Sequence, residues 1–308
     1  MPNAAIVQIA PKSFFARAIL GNAYVLLPLA ALCFAGNHIV GRAIAGHIPP
    51  AGLTLFRWLL AAGILVPLAW PHLRRDWPVM RARWRILMFY GLLAGGLFTA
   101  MQYVGLIYTT AINTALLNST IPVFIGLACY LLFGDRLSWR QIAGVLVSLS
   151  GVVAIIAKGD TRTLAGFAFN GGDLIIISNM AMWAVYSATL RLKPNIHPFS
   201  FTASIAVIGL CAVAPFHVWE ILRGTPMQAT LETFLTVFYV AIFPSVLAFL
   251  SWNRGVELIG AARAGIFTHL IPLFGAIMAM IFLGEQPGLY HLAGFALILA
   301  GVWLAARR

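Results

Sequence analysis

Ten times along this 308-residue chain an apolar run of membrane-crossing length recurs, with only short polar connections between runs. The runs fall at about 22–41, 53–71, 86–107, 112–133, 140–157, 173–190, 199–219, 232–252, 263–283 and 290–306. A helix needs about 20 apolar residues to cross the hydrocarbon core. Ten such segments consume the chain and leave no stretch for a soluble domain. The composition agrees, with 61% apolar and 9% charged residues, against roughly a quarter charged in soluble domains. A soluble enzyme, a nucleic-acid-binding domain and a disordered scaffold are thereby excluded. The expected fold is an all-α integral membrane protein forming a single transmembrane domain over residues 1–308.

The formal charge of +12 invites a polyanionic partner, yet the charges are scattered and make no basic face. They read instead as a topological signal. With a cytoplasmic N-terminus, fifteen Lys and Arg fall in inside connections, among them Arg74, Arg75, Arg136, Arg191, Lys193 and Arg254. Only Arg42, Lys158, Arg162 and Arg223 fall outside, and Arg57 lies within the second segment. Both termini are therefore expected in the cytoplasm, with an even number of spans. Lys12 and Arg17 ahead of the first run resemble a signal peptide, but that run continues to Val40 without a small-residue cleavage pattern, so it is read as the first span. Cys33, Cys129 and Cys211 lie far apart inside apolar runs and are expected to be small buried hydrophobes with no metal to hold.

The chain also repeats itself. The segment starting at Ile121 aligns without gaps on the one starting at Ile271. Ile121, Pro122, Phe124, Gly134, Ala143, Gly144, Leu149, Gly151 and Val152 each find the same residue 150 positions later. Asp135 falls opposite Glu285, and Gly105 and Ala111 opposite Gly255 and Ala261. The first spans of the halves match at a shift of 149, with Phe34 opposite Trp183, Arg42 opposite Arg191 and Pro49 opposite Pro198. Each unit, about 20–157 and 170–306, holds five spans. Five is odd, so the second copy enters the membrane from the opposite side. Inverted repeats of this kind suit alternating access, because exchanging the conformations of the halves moves the opening across the membrane.

Two five-span repeats, each with a penultimate span that carries Pro and ends in Gly-acid (Gly134–Asp135, Gly284–Glu285), resemble the EamA-type members of the drug/metabolite transporter superfamily. Within that family the chain is most similar to bacterial amino-acid exporters of the YddG type. The resemblance implies export of aromatic and other neutral amino acids across the bacterial inner membrane. It also implies a central cavity lined by spans 1, 3, 4, 6, 8 and 9, with the last span of each half set to one side.

Polar groups inside the membrane map a candidate path, since they are tolerated where they face the bundle interior or a wet cavity. Span 1 carries Phe34, Asn37 and His38 on one helical face, and span 3 carries Thr99, Gln102 and Tyr103 with the same spacing. Asn118 and Ser119 precede Pro122 in span 4; Asn179, Trp183 and Tyr186 share a face of span 6; Thr268 and His269 precede Pro272 in span 9. Amides and hydroxyls of this kind can hold an amino or carboxylate group with modest affinity. Phe34, Tyr103, Trp183, Tyr186, Tyr239 and Trp252 can stack against substrate side chains. For any one amide, bonding to a neighbouring helix is an equal alternative, and His38 and His269 read as structural before proton-carrying. Trp70, Trp77, Trp84 and Trp252 near span ends read as interfacial anchors, Gly91 and Gly95 as points of close helix approach. Arg57 is expected to reach an interface or a carbonyl cluster, a role toward a substrate carboxylate remaining open. Pro28, Pro122, Pro244 and Pro272 are candidate hinges.

The acids all lie at or near span ends, so the mid-membrane carboxylate of a proton/cation antiporter is missing. Facilitated or histidine-coupled transport of neutral solutes is expected, with polycationic drugs disfavoured. Carriage of a sugar, nucleoside or polyamine, or flipping of a lipid-linked substrate, is the alternative. A channel would show a filter loop or charge ring; an intramembrane enzyme would show a nucleophile–base or metal constellation. Neither occurs, no cofactor motif is present, and a monomer is expected.

Overall fold

A computed structural model describes residues 21–109, 111–157, 170–283 and 288–306. The Gly284–Glu285 motif and the residues at both chain ends lie outside them. Among the described residues, ten helices are long and apolar enough to cross a membrane: α1 Ala23–Ala43, α2 Pro50–Ala82, α3 Trp84–Tyr108, α4 Asn113–Phe133, α5 Trp139–Ala157, α6 Gly171–Leu192, α7 Pro198–Leu222, α8 Leu231–Ile259, α9 from Ala261, and α10 Leu289–Ala306. In α9, Ala261–Ile266 and Leu270–Leu283 flank a 3-10 turn at Phe267–His269. Among the described residues there is no strand.

Local chemistry starts and stops these helices where the sequence directs. Asn22 caps α1, accepting from the Tyr24 N–H, and Asn170 with Asp173 forms a capping box at α6. Pro50 and Pro198 occupy the first turns of α2 and α7, where a missing N–H is harmless. Gly134, at φ 73, closes α4 in the left-handed region. The second helix runs eleven residues past the expected end near 71, through Pro71 and Pro78 to Ala82. Arg74, Arg75 and Arg81 therefore extend from helix and not from a loop. Trp70 and Trp77 stay exposed beside them, as interfacial anchors should.

The packing is that of inverted repeats. A Cβ at Gly144 would lie 2.6 Å from the Gly301 carbonyl oxygen, and one at Gly151 2.6 Å from that of Gly294. Gly144 and Gly294 are repeat mates, as are Gly151 and Gly301, so α5 and α10 cross antiparallel about a pseudo-two-fold axis, backbone against backbone. The same symmetry recurs further out. Gly105 of α3 leaves room for Ile176 of α6, and its mate Gly255 of α8 leaves room for Leu27 of α1, the Cβ position being 2.5 Å from the partner side chain in both. Thus α1 packs on α8 and α9, and α6 on α3 and α4. Each half's first helix is lodged in the other half.

Two further correspondences are invisible as residue identities. The third span of each half contains a π-helical stretch, Gly91–Phe98 and Ala241–Leu247, starting 150 residues apart. Helices α2 and α7 cap one another with carboxylates. Glu220, near the end of α7, accepts from the Ala51 and Gly52 N–H groups at 2.9 and 2.8 Å. Asp76, near the end of α2, accepts from the His197 N–H at 2.8 Å. Both acids are buried, and both satisfy the orphan donors of a helix N-terminus while opposing its dipole.

Candidate functional site

The halves meet in the middle of the bundle around a small cavity. Phe34, Asn37 and His38 of α1 line it, with Phe98, Thr99 and Gln102 of α3, Asn118 of α4, Trp183 of α6 and Thr268 of α9. Its volume is about 30 Å³, enough for about two waters. Eight of the residues expected from the polar stripes converge there: Phe34, Asn37, His38, Thr99, Gln102, Asn118, Trp183 and Thr268. His38, Asn118 and Ile271 also border a larger cavity of about 490 Å³ in the half of the bundle that ends at Arg42 and His291.

Aromatic rings fill the opposite half. The Trp183 ring lies 4.7 Å from Phe98, 5.3 Å from Phe34 and 5.3 Å from Trp252, centroid to centroid. Phe249 closes the cluster at 5.8 Å from Trp183. Trp252 and Tyr186 are fully buried within it, their polar ends tied off: the Trp252 Nε1–H donates to Ser187 Oγ at 3.2 Å and the Tyr186 hydroxyl to Asn253 Oδ1 at 2.6 Å. The expectation that Trp252 anchors the interface is corrected: α8 runs on to Ile259, which places Trp252 inside the bundle, whereas Trp70, Trp77 and Trp84 are exposed.

Other expected lining residues stand behind the cavity wall and brace it. Asn179 Nδ2 donates to Gln102 Oε1 at 2.6 Å, and the Tyr103 hydroxyl donates to Asn37 Oδ1 at 2.8 Å. Tyr239 lies over Gly36 of α1, its hydroxyl filling the space a Cβ would take. His269 is fully buried, bonded to the Ser148 hydroxyl and, at 2.7 Å through Nε2, to the Ser119 carbonyl. Ser119 and His269 are repeat mates, so this bond crosses the pseudo-two-fold axis at the breaks in α4 and α9. Pro122 and Pro272 sit just after those breaks, in the first turn of the following helical stretch; Pro28 lies inside α1 and Pro244 in the π-helical stretch of α8.

Arg57 is the charged lining residue that the polar-stripe argument missed. It reaches neither an interface nor a carbonyl cluster. It is 2% exposed, its Nε donates to Ser245 Oγ at 2.6 Å, and its Nη1 donates to Tyr103 at 2.9 Å. Helix α2 thus contributes to a cavity that the resemblance assigns to other spans. The lone charge in an otherwise apolar segment was the available signal. The larger cavity also takes in Ile155 of α5 and His291 of α10, so the end helices are not wholly lateral. Cys33 and Cys129 are buried, but Cys211 is exposed on the outer face of α7, where an apolar thiol suits lipid as well as a core does.

The model of the EamA-like transporter family matches twice, over residues 21–157 and 170–307. The chain belongs to the EamA-like transporter family. Like other EamA proteins of the drug/metabolite superfamily it is a multi-pass protein of the inner membrane, a transporter rather than an enzyme, acting on a small molecule. An uncharacterized transporter of Archaeoglobus fulgidus is 30% identical over 291 residues, covering 92% of this chain and 97% of the relative. An uncharacterized transporter of Bacillus subtilis, YyaM, is 24% identical, covering 92% and 93%. A probable terminal-alkyne amino-acid exporter of Streptantibioticus cattleyicolor is 28% identical over 268 residues, covering 84% of each chain. A solved crystal structure has the same fold, with a TM-score of 0.69 at 22% identity over 95% of this chain and 97% of that one.

Proposed function

We propose that this EamA transporter exports neutral amino acids with apolar or aromatic side chains from the cytoplasm by alternating access. The observation that carries this reading is the central cavity, lined by the amide and hydroxyl residues Asn37, Thr99, Gln102 and Asn118 together with the rings of Phe34, Phe98 and Trp183. A lining that mixes polar groups with rings complements a small zwitterion with an apolar side chain. The similarity to a probable amino-acid exporter supports the same class. The basic residues of the connections favour cytoplasmic termini, which makes the Arg42 end extracytoplasmic and the present arrangement outward-facing. Rocking would exchange the aromatic plug for an equivalent closure on the other side, with Pro28, Pro122, Pro244 and Pro272 as hinges. The protein would work as a monomer and without a cofactor.

Counterflow into liposomes compares labelled phenylalanine, threonine, glucose and putrescine. Accumulation of phenylalanine above the protein-free control, with glucose and putrescine at that control, is the expected result. Uptake of glucose or putrescine without phenylalanine would refute the reading. Transport that demands a pH gradient and is lost on replacing Asp173 would refute facilitated or histidine-coupled transport.

A further inference from the structure

A guanidinium held away from water in a bilayer-spanning helix needs an anion nearby or a compensating polar shell. Arg57 has only part of the second. Its neighbours Ser245, Tyr103 and Asn37 are neutral, the Asn37 contact is long at 3.4 Å, and the remaining contacts are ring faces, Trp58 at 5.4 Å and Tyr103 at 5.9 Å. Its Nη2 donates no hydrogen bond, and no carboxylate pairs with it, among the described residues. Arg57 nevertheless lines the central cavity. The same cavity holds two amides with unspent atoms. Gln102 Nε2, a donor, and Asn118 Oδ1, an acceptor, are buried without a partner. Gln102 is 3% exposed and Asn118 5%.

We infer that Arg57 is the carboxylate-binding residue of this transporter, with Gln102 Nε2 as second donor, so that a substrate must carry a carboxylate. The inference rests on the amino-acid reading but narrows it. The fixed positive charge makes the carboxylate obligatory, whereas the ammonium group meets only the neutral Asn118 oxygen and is dispensable. Arg suits this task because its planar fork offers two parallel donors to a carboxylate. The cation also repels polyamines, which removes one of the alternative substrate classes on electrostatic grounds.

Tryptophan fluorescence of the detergent-purified protein reads occupancy, because Trp183 lines the cavity and Trp58 faces the guanidinium. The probes are phenylalanine, phenylalanine amide, phenethylamine and 3-phenylpropionate. Saturable quenching by phenylalanine and 3-phenylpropionate is expected, with the amide and the amine weaker by about ten- to hundredfold, the range for losing a charge-assisted hydrogen bond. Arg57→Gln should flatten that preference, and Arg57→Lys should keep its direction with a smaller ratio. A purely structural arginine would leave the ratio between carboxylate and amide ligands unchanged. Binding of the amide or amine equal to that of the carboxylates, or no response to any carboxylate, overturns the inference. This holds on wild-type protein alone should Arg57→Gln fail to fold. Quenching by 3-phenylpropionate in a protein that does not carry phenylalanine would sustain Arg57 as the anion site while refuting amino-acid export.

Discussion

Removing the Glu220 carboxylate tests whether the reciprocal caps hold α2 and α7 together. Ala51 and Gly52 occupy the first turn of α2, where N–H groups have no helical partner; the first bond back along the chain is donated by Leu53 to the Pro49 carbonyl. The two carboxylate oxygens take up these donors at 2.9 and 2.8 Å in a site where Glu220 is 9% exposed. The His217 Nδ1 contact of 3.6 Å is outside hydrogen-bond reach. Each hydrogen bond to a charged group contributes about 1.5–3 kcal/mol, and entry of water into the vacated space restores part. Glu220→Ala should therefore destabilise by about 2–4 kcal/mol. Glu220→Gln keeps one acceptor but turns an NH₂ toward the other donor, and should lose about 1–2 kcal/mol. Asp76→Asn, at a carboxylate that accepts from the His197 N–H at 2.8 Å and from the exposed Arg75 Nε at 3.4 Å, should lose about 1 kcal/mol. The two acids lie at opposite ends of the helix pair, so the double variant should be additive within roughly 0.5 kcal/mol. Reversible unfolding in mixed micelles titrated with SDS measures all four. A Glu220→Ala protein within about 0.5 kcal/mol of wild type would refute the reasoning.

Gly144→Val should separate α5 from α10, because its side chain meets the Gly301 carbonyl and Ala305 backbone, with a loss of about 1–3 kcal/mol in the same assay. Trp183→Ala removes the centre of the aromatic plug and should both destabilise by about 3–5 kcal/mol and raise passive leak of substrate from loaded liposomes; an unchanged leak would refute its sealing role. The His197 imidazole, at the mouth of α7, is pushed down from 6.5 to about 4 by burial, with His72 stacked on it and Arg75 adding to the effect while Asp76 opposes it. Between those values the unfolded chain takes up a proton that the folded one refuses. Thermal stability should be full above pH 6.5 and decline as pH falls toward 4, and His197→Asn should flatten that decline. Single cysteines replacing Asp135 and Glu285 should label from opposite compartments; labelling from one side would refute the inverted threading.

The ten spans and the inverted relation were legible because hydropathy acts over twenty residues at a time and because Pro122, Gly144 and Gly151 are sterically irreplaceable enough to recur as identities. The reciprocal caps were not, because Asp76 and Glu220 serve the same purpose at different positions, and a carboxylate at a span end looks alike whether it caps a helix or faces water. The π-helical stretches likewise recur with no shared residue at their core, Ala94 standing opposite Pro244. Half of the candidate site was readable from helical spacing, which puts Phe34, Asn37 and His38 on one face. Periodicity could not separate residues that face the cavity from those one layer behind, so Tyr103, Asn179, Tyr186 and His269 were grouped with the lining. Arg57 escaped for the opposite reason, since only Thr54 is polar beside it on its own helix and it meets Asn37, Tyr103 and Ser245 only in three dimensions.

The lodging of each half's first helix in the other half bears on biosynthesis. When α1 through α5 have left the ribosome, Leu27 has no groove, because the groove at Gly255 is still untranslated. The early helices must wait in the lipid as a loose raft. Closure comes only as α8 and α9 arrive, and at that moment both lobes become native together. A ribosome stalled after residue 160 should therefore yield a protease-sensitive, inserted half that a separately expressed second half can rescue.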